Sequence, residues 1–462
     1  MDKFIFYDTE TSSAKEIDFV QVIQVGSILT SPILDEIETL DLICTPLPWT
    51  LITPKALLLN KKKETFDADM SHYQMIKEVF NKWTQWTNEN TTVFITYNGM
   101  RFDEQIMRRQ FYWNLFDPYI TNTNQNSRLD IYIKMQVIGC FYNHIFPIPK
   151  KDSKVSLKLE ELAKSFNMDI ENAHDAVEDC RLLKNLLNKI IEITPNFYNE
   201  FISTTSKIDL FNHLADNEVH YLCSYFHNNL KSLPFTSLTG PEMLSNDVPI
   251  FNLTYDPNDY INLTTSELTE VISNTRTSPF RKVAINKSIP SISADTLIQD
   301  NISIDNIDTY KERAKQIKTD DDFVLKVNTI FNDLERPIYP MDYIEQQLYS
   351  GGFPHQIDKD RMKNFHSVGT LNEKLAIAST FQDERFKDFA IRICAQEFPS
   401  EIDIENLRYC KNLVKTRFND SGPWPNSDDY IQEGEDLLAE LEDTEEKKLV
   451  NLAINSIKSS RN

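Results

Sequence analysis

Apolar positions in the first two hundred residues follow two rhythms. Short runs of strand length occur at 3–8 (KFIFYD), 20–29 (VQVIQVGSIL), 40–46 (LDLICTP) and 91–97 (TTVFITY), rich in β-branched and aromatic residues. Helical spacing takes over between and after them. It marks a stretch at 71–88 and a helix after the Asn98-Gly99 turn carrying Phe102, Ile106, Met107, Phe111 and Leu115. Leu157, Leu159 and Leu162 open another helix. The last starts near Asp175, with Val177, Cys180, Leu183, Leu187 and Ile190 on one face and Pro195 after its end. Strands first, with helices after and between, predict an α/β or α+β domain with a mixed sheet.

The pattern changes near residue 200. Strand-like runs EVHYLCSYF, VPIFNLTYD and RKVAINK alternate with turn-rich pieces such as SLTGPEMLSND, which suggests a small β-barrel or sandwich. After Pro337, Pro340 and Gly351-Gly352 the chain reads mostly helical, interrupted by SGPWPNSDD at 421–429. This gives three parts: 1–196, 197–350 and 353–462.

Composition narrows the function. The chain has 462 residues, 40% hydrophobic and 26% charged, which fits a folded protein with a large core. No run is long and apolar enough for a membrane helix, and no secretory signal is visible, so a cytoplasmic protein is expected. The six cysteines form no CxxC pair and read as reduced core thiols. Only 9 residues are glycine, and neither GxxxxGK[ST] nor GxGxxG occurs, which removes most nucleotide-cradling functions. A net charge of −22 argues against a broad nucleic-acid surface but leaves room for a local basic groove. Lys61-Lys62-Lys63 reads as a solvated loop, and the ten acidic residues between Asp428 and Glu446 as a solvated helix face.

Candidate chemistry starts at FIFYDTE. Asp8 and Glu10 end the first apolar run and, two apart on a strand, point to one face. Two carboxylates held together need a positive charge between them, and a divalent cation such as magnesium is the natural one. Asp103, in YNGMRFDEQ, opens a helix, where capping is the alternative role. In NAHDAVEDC, His174 precedes a helix and Asp179 lies in its first turns, with Asp175 the expected N-cap.

DxE, a central Asp and H-x4-D in this order resemble the DEDD exonuclease superfamily in its His-bearing branch. The runs YNGMRFDEQ, FYWNLFDPY, NSRLD and NAHDAVED are similar to those of the bacterial exodeoxyribonuclease I family, with INK (285–287) and QLYSGGF (347–353) fainter matches. The resemblance implies an RNase H-like exonuclease domain with a mixed sheet, an SH3-like β domain and a helical C-terminal domain. It implies 3′-to-5′ degradation of single-stranded DNA to 5′-mononucleotides by two magnesium ions, with manganese an alternative. Asp8, Glu10 and Asp179 become metal ligands, Asp103 a ligand or a group behind them, and His174 the general base. Glu10, Arg108, Tyr119 and Lys158 become substrate contacts. Lys158 stands where the family has an Arg, and Thr123 and Gln136 where it has an aromatic and an Arg. The acidic C-terminal tail of single-stranded-DNA-binding protein is the implied partner, and a monomer the implied state. The competing readings are a related exonuclease acting on RNA ends, a binding module with a dead exonuclease fold, and a structural interaction protein.

Overall fold

The structure is a computed structural model that describes all residues except 152–153, 171–173, 228, 241–245, 335–340 and 462. Pro337, Pro340, residues 241–245 of SLTGPEMLSND and the Asn172-Ala173 start of NAHDAVED therefore lie outside the described residues. The N-terminal part is built on β1 (Lys3–Thr11), β2 (Val22–Thr30), β3 (Glu36–Ile43), β4 (Thr92–Thr96) and β5 (Ser127–Asp130), in the order β3-β2-β1-β4-β5. The first three pair antiparallel and the last two join in parallel, so the sheet is mixed, as expected.

Helices cover both faces. They are α1 (Pro54–Asn60), α2 (His72–Thr87), α3 (Asp103–Trp113), α4 (Ile131–Phe141), α5 (Leu159–Ser165) and α6 (Ala176–Ile193). Strand alternation divides β1 between two cores. Phe4 and Phe6 pack with the α4 and α6 side, and Ile5 and Tyr7 with the α2 and α3 side. All five apolar residues expected on α6 are buried. Asp175 caps it by accepting from Val177 and Glu178 N–H, and Pro195 opens the next helix rather than merely ending this one.

Two details of β1 differ from expectation. The strand does not stop at Asp8: Glu10 still pairs with Gln24, and an irregularity follows only between Glu10 and Thr11. The carboxylates are thus held by ladder hydrogen bonds instead of lying past the strand's end. Asp8 also faces Gly26 of β2, where an added Cβ would lie 2.4 Å from the Ala176 carbonyl carbon. The glycine lets the first turn of α6 lie directly on the sheet.

The middle segment forms a five-stranded antiparallel sheet, after a two-residue ribbon of β6 (Lys150–Lys151) and β7 (Lys154–Val155). Its strands are β8 (His220–Phe226), β9 (Asn229–Ser237), β10 (Asp247–Asn252), β11 (Phe280–Ala284) and β12 (Ser291–Ser293), in the order β11-β10-β9-β8-β12. β9 escaped the sequence reading because Lys231, Ser232 and Pro234 dilute its strand signal. Its Phe235 packs with Val248, Ile250 and Val283. On the other side, Tyr221, Phe251 and Leu253 share one continuous core with Phe6 and Leu183 of the first part. The INK segment docks on β5 and α4: Asn286 O accepts from Arg128, Ser288 Oγ from Asp130 N, and Ile289 O from Lys134.

The C-terminal part is helical from Gln356 to Ser460. Its Phe365, Phe386 and Phe389 pack on the Trp83, Phe111 and Tyr112 side of the first sheet. The 421–429 interruption is shorter than read, because Asn426 already caps a helix starting at Ser427. The acidic stretch after it is largely exposed, with Asp428 paired to Arg461 and Glu445 to Lys448. All six cysteines are free. Among the described residues no helix is long and apolar enough to cross a membrane.

Gly26→Ala is expected to push α6 off the sheet and destabilise the protein by about 1–3 kcal/mol, as overpacking does. A thermal-unfolding comparison with the wild type checks this, and an unchanged midpoint would remove the close approach as a constraint.

Candidate active site

Asp8 and Glu10 leave the same face of β1, and Asp179 comes down from the first turn of α6. The nearest ligand oxygens of the three all lie within 4.8 Å of one another. Asp103, at the first residue of α3, accepts a 2.6 Å hydrogen bond from Thr9 Oγ1 and stands beside Asp8 without joining that trio. Thr9 is the residue between the two β1 carboxylates, so strand alternation sends it to Asp103 while they face α6.

Burial and mutual proximity of these groups show in their acidities. Burial, then Asp103, Asp179 and Glu10, hold the Asp8 carboxyl well above the usual range. Burial and Asp179 push Glu10 up to about 8, against a pull from Lys62. Burial brings Asp103 to about 6 despite the Thr9 bond. It also brings Asp179 to about 6, against the pull of His174. A site of carboxylates alone offers hard oxygen donors, which suit magnesium or manganese. The donor set fits a divalent metal centre, since cations there would offset the burial and crowding that disfavour the ionised carboxylates.

His174 lies just ahead of the α6 cap, in a left-handed conformation (φ 71°). Its Nε2 is 3.1 Å from Glu160 Oε1 on α5, and its side chain is 44% exposed. Lys158 stands just before the first residue of α5, makes no capping hydrogen bond with its side chain, and is exposed. Lys62 is not the solvated loop residue expected. Lys61 ends α1 in the left-handed region and turns the chain, and Lys62 Nζ lies 2.6 Å from Asp175 Oδ2 with its side chain 15% exposed.

Sequence reasoning also missed the part played by Glu104. Its Oε1 accepts from Arg108 Nε (2.8 Å), Arg128 Nη1 (2.7 Å) and Thr121 Oγ1 (2.8 Å). Its Oε2 accepts from Tyr7 Oη (2.7 Å). Those partners hold it at about 2 in spite of full burial. The acidic residue was visible in YNGMRFDEQ, but four donors from four separate elements were not. Arg108 is consequently tied down: it also donates to Asn122 and lies 4.9 Å over the Tyr119 ring. Both residues line a groove of about 1290 Å³ that runs between the three parts of the chain, with Arg128, Lys287, Phe353 and Lys363 on its walls. Thr123 lines it too. Gln136 is half-buried on α4, among residues that do not line this groove.

The chain is similar to known exonucleases. The family profile described as Exonuclease I C-terminal domain matches residues 342–454. Exodeoxyribonuclease I of Escherichia coli K12 is 26% identical over 339 residues, which cover 68% of this chain and 68% of that protein. Among solved structures, exonuclease I of Methylocaldum szegediense superposes over 100% of both chains with TM-score 0.81 at 20% identity. The zinc-bound form of the E. coli exonuclease I complex with single-stranded DNA superposes over 100% of both chains with TM-score 0.80 at 21% identity. The fold is the one these structures share.

Acids with raised values bind protons in the folded state that they release on unfolding near neutral pH. Stability of the metal-free protein is therefore expected to fall as pH rises from about 5 to 8. Magnesium should restore it, and by more at pH 8 than at pH 6; thermal melts with and without magnesium read the difference. Glu104 has the opposite sign, since its lowered value contributes stability above about pH 4.5 that is lost below it. Glu104→Ala should cost about 3–5 kcal/mol by stranding two buried guanidinium groups, measurable as a lower denaturation midpoint.

Proposed function

We propose that this chain, a homologue of exodeoxyribonuclease I, is a metal-dependent exonuclease. It removes nucleotides from the 3′ end of single-stranded DNA, releases 5′-mononucleotides, and serves DNA repair and recombination. The observation that carries this reading is the Asp8, Glu10 and Asp179 trio, three carboxylates from two elements aimed at one point in a chain otherwise built like exonuclease I.

In this reading Asp8, Glu10 and Asp179 hold two magnesium ions, or manganese in their place, and Asp103 supports Asp8 from behind. Bound there, the ions would lower the pKa of the attacking water and stabilise the departing 3′ oxygen. Glu160 accepts from His174 Nε2–H, which leaves Nδ1 free to take the water's proton. The water oxygen then bonds to phosphorus and the bond from phosphorus to the upstream 3′ oxygen breaks. The product carries a 5′ phosphate, and the shortened strand ends in a 3′ hydroxyl. The strand lies in the groove against Tyr119 and the Arg108 edge, and Lys158 reaches its phosphates from α5. By the same resemblance the acidic tail of single-stranded-DNA-binding protein is a partner, the working unit is a monomer and the compartment is the cytoplasm.

A 5′-labelled single-stranded oligonucleotide with magnesium should shorten from its 3′ end into a ladder. Asp8→Ala and a chelator should abolish the ladder, and His174→Ala should slow it by about 10²–10⁴-fold. Duplex DNA should resist. Faster cleavage of RNA would shift the reading to an exonuclease of RNA ends, and binding without cleavage would leave a binding module.

A further inference from the structure

Lys62 is a cation built into the edge of the carboxylate cluster. The loop that carries it is fixed from three sides. Asn60 Nδ2 donates to Thr11 O at the end of β1, Asn60 Oδ1 accepts from Lys62 N, and Lys63 N closes onto Lys61 O. The ammonium is thereby set between the end of β1 and the start of α6, the two elements that supply the trio. It lies close enough to draw down the Glu10 carboxyl.

Its present partner has other donors besides Lys62. Asp175 Oδ1 accepts from Val177 N (3.1 Å) and Glu178 N (3.3 Å), and Oδ2 from Gln24 Nε2 (3.2 Å). If Lys62 moved away, Asp175 would keep three donors as the α6 cap. Lys62 would itself need another anion, because its side chain is only 15% exposed. A DNA phosphate brought to the metal trio supplies one within the same small space.

We propose that Lys62 is a substrate-binding residue, whose ammonium passes from Asp175 to a non-bridging oxygen of the 3′-terminal nucleotide's phosphate when the strand enters. This rests on the exonuclease reading and adds a contact to it. It differs from Lys158 in coming from the opposite side of the cluster, from the α1 end rather than from α5. A lysine gives a point charge that can follow the phosphate from substrate to product, where a bidentate arginine would fix one geometry.

The test is equilibrium binding of a labelled single-stranded oligonucleotide whose 3′-terminal linkages are cleavage-resistant phosphorothioates, titrated over a range of salt with magnesium present. Losing one phosphate contact on a single strand reduces the slope of log K against log salt by about 0.7. Lys62→Met should show that reduction and bind about tenfold more weakly at low salt. Lys62→Arg should keep the wild-type slope. The loss in Lys62→Met should persist in the Lys62→Met, Asp175→Asn double variant. A wild-type slope in Lys62→Met, with a lowered melting temperature that Asp175→Asn restores, would reduce Lys62 to a counter-charge for Asp175 and overturn the proposal. Wild-type protein that fails to bind or shorten single-stranded DNA would overturn the exonuclease reading and this contact with it.

Discussion

Mutual repulsion among Asp8, Glu10, Asp103 and Asp179 is the constraint around which the first part of the chain is organised. Carboxylates crowded in a partly buried cleft cannot all ionise unless a positive charge joins them, so the fold has to hold them together against their own field. Backbone geometry does this. β1 is flanked on both sides in its sheet, which fixes Asp8 and Glu10 by ladder hydrogen bonds. Gly26, with no side chain, allows the α6 backbone to come down onto β2 opposite Asp8. Asp175 then sets where α6 begins, and therefore where Asp179 falls one turn later. The cost of that arrangement would be relieved by a bound divalent cation, which would give such an ion its affinity.

Asp103 and Glu104 are adjacent in sequence and sit in opposite electrostatic regimes. Asp103 is buried with one hydroxyl and, among the described residues, no cation for support and rises to about 6; Glu104, equally buried, faces two guanidinium groups and two hydroxyls and falls to about 2. Helix rotation of about 100° per residue is enough to turn one toward the cluster and the other away from it. Glu104 also couples the parts of the chain. Arg128 continues from it to Asn286 of the middle segment, while Arg108 continues to Asn122 and the Tyr119 ring at the groove. A comparable knot joins the C-terminal helices to each other: Glu345 accepts from Arg392 and Arg417, and Arg417 is enclosed by Phe19, Tyr343 and Trp424. Buried ion pairs of this kind fix relative position more than they add stability.

Much of the first part was legible because its signals are local. Short β-branched and aromatic runs revealed β1, β2 and β4, a 3.6-residue period revealed the α6 face, and Asp175 declared itself as a cap. The trio was legible as a pattern, DxE plus H-x4-D, since strand and helix geometry convert those spacings into shared faces. What stayed hidden depends on distant partners. Lys62 looks solvated within its lysine run, because only Asn60 reaching Thr11 and the left-handed Lys61 turn it inward. Glu104 meets Tyr7 from 97 residues away. β9 contains a proline and a lysine that a strand template rejects, yet pairing on both sides keeps it in the sheet. Arg108 was matched to a DNA contact from its position alone, and its tie to Glu104 shows that it also supports the wall of the groove.

The overall charge of −22 can now be set beside the place where positive charge collects. Arg108, Arg128, Lys287, Lys359 and Lys363 gather along one groove, and Asp117 is the acidic residue on its walls. Glu104 accounts for one negative charge beneath two of those arginines, so the groove keeps an excess of cations. An acidic exterior then works with the groove instead of against it. Under the proposed function, a polyanionic strand would be repelled by the acidic exterior and attracted along the groove, which would concentrate its approach there. The same field disfavours broad, non-specific coating by DNA, since that mode needs basic charge spread over a wide face. Under the proposed function, this contrast between groove and exterior would favour strand capture, and the Tyr119 and Phe353 rings in the groove would add contact that salt does not screen.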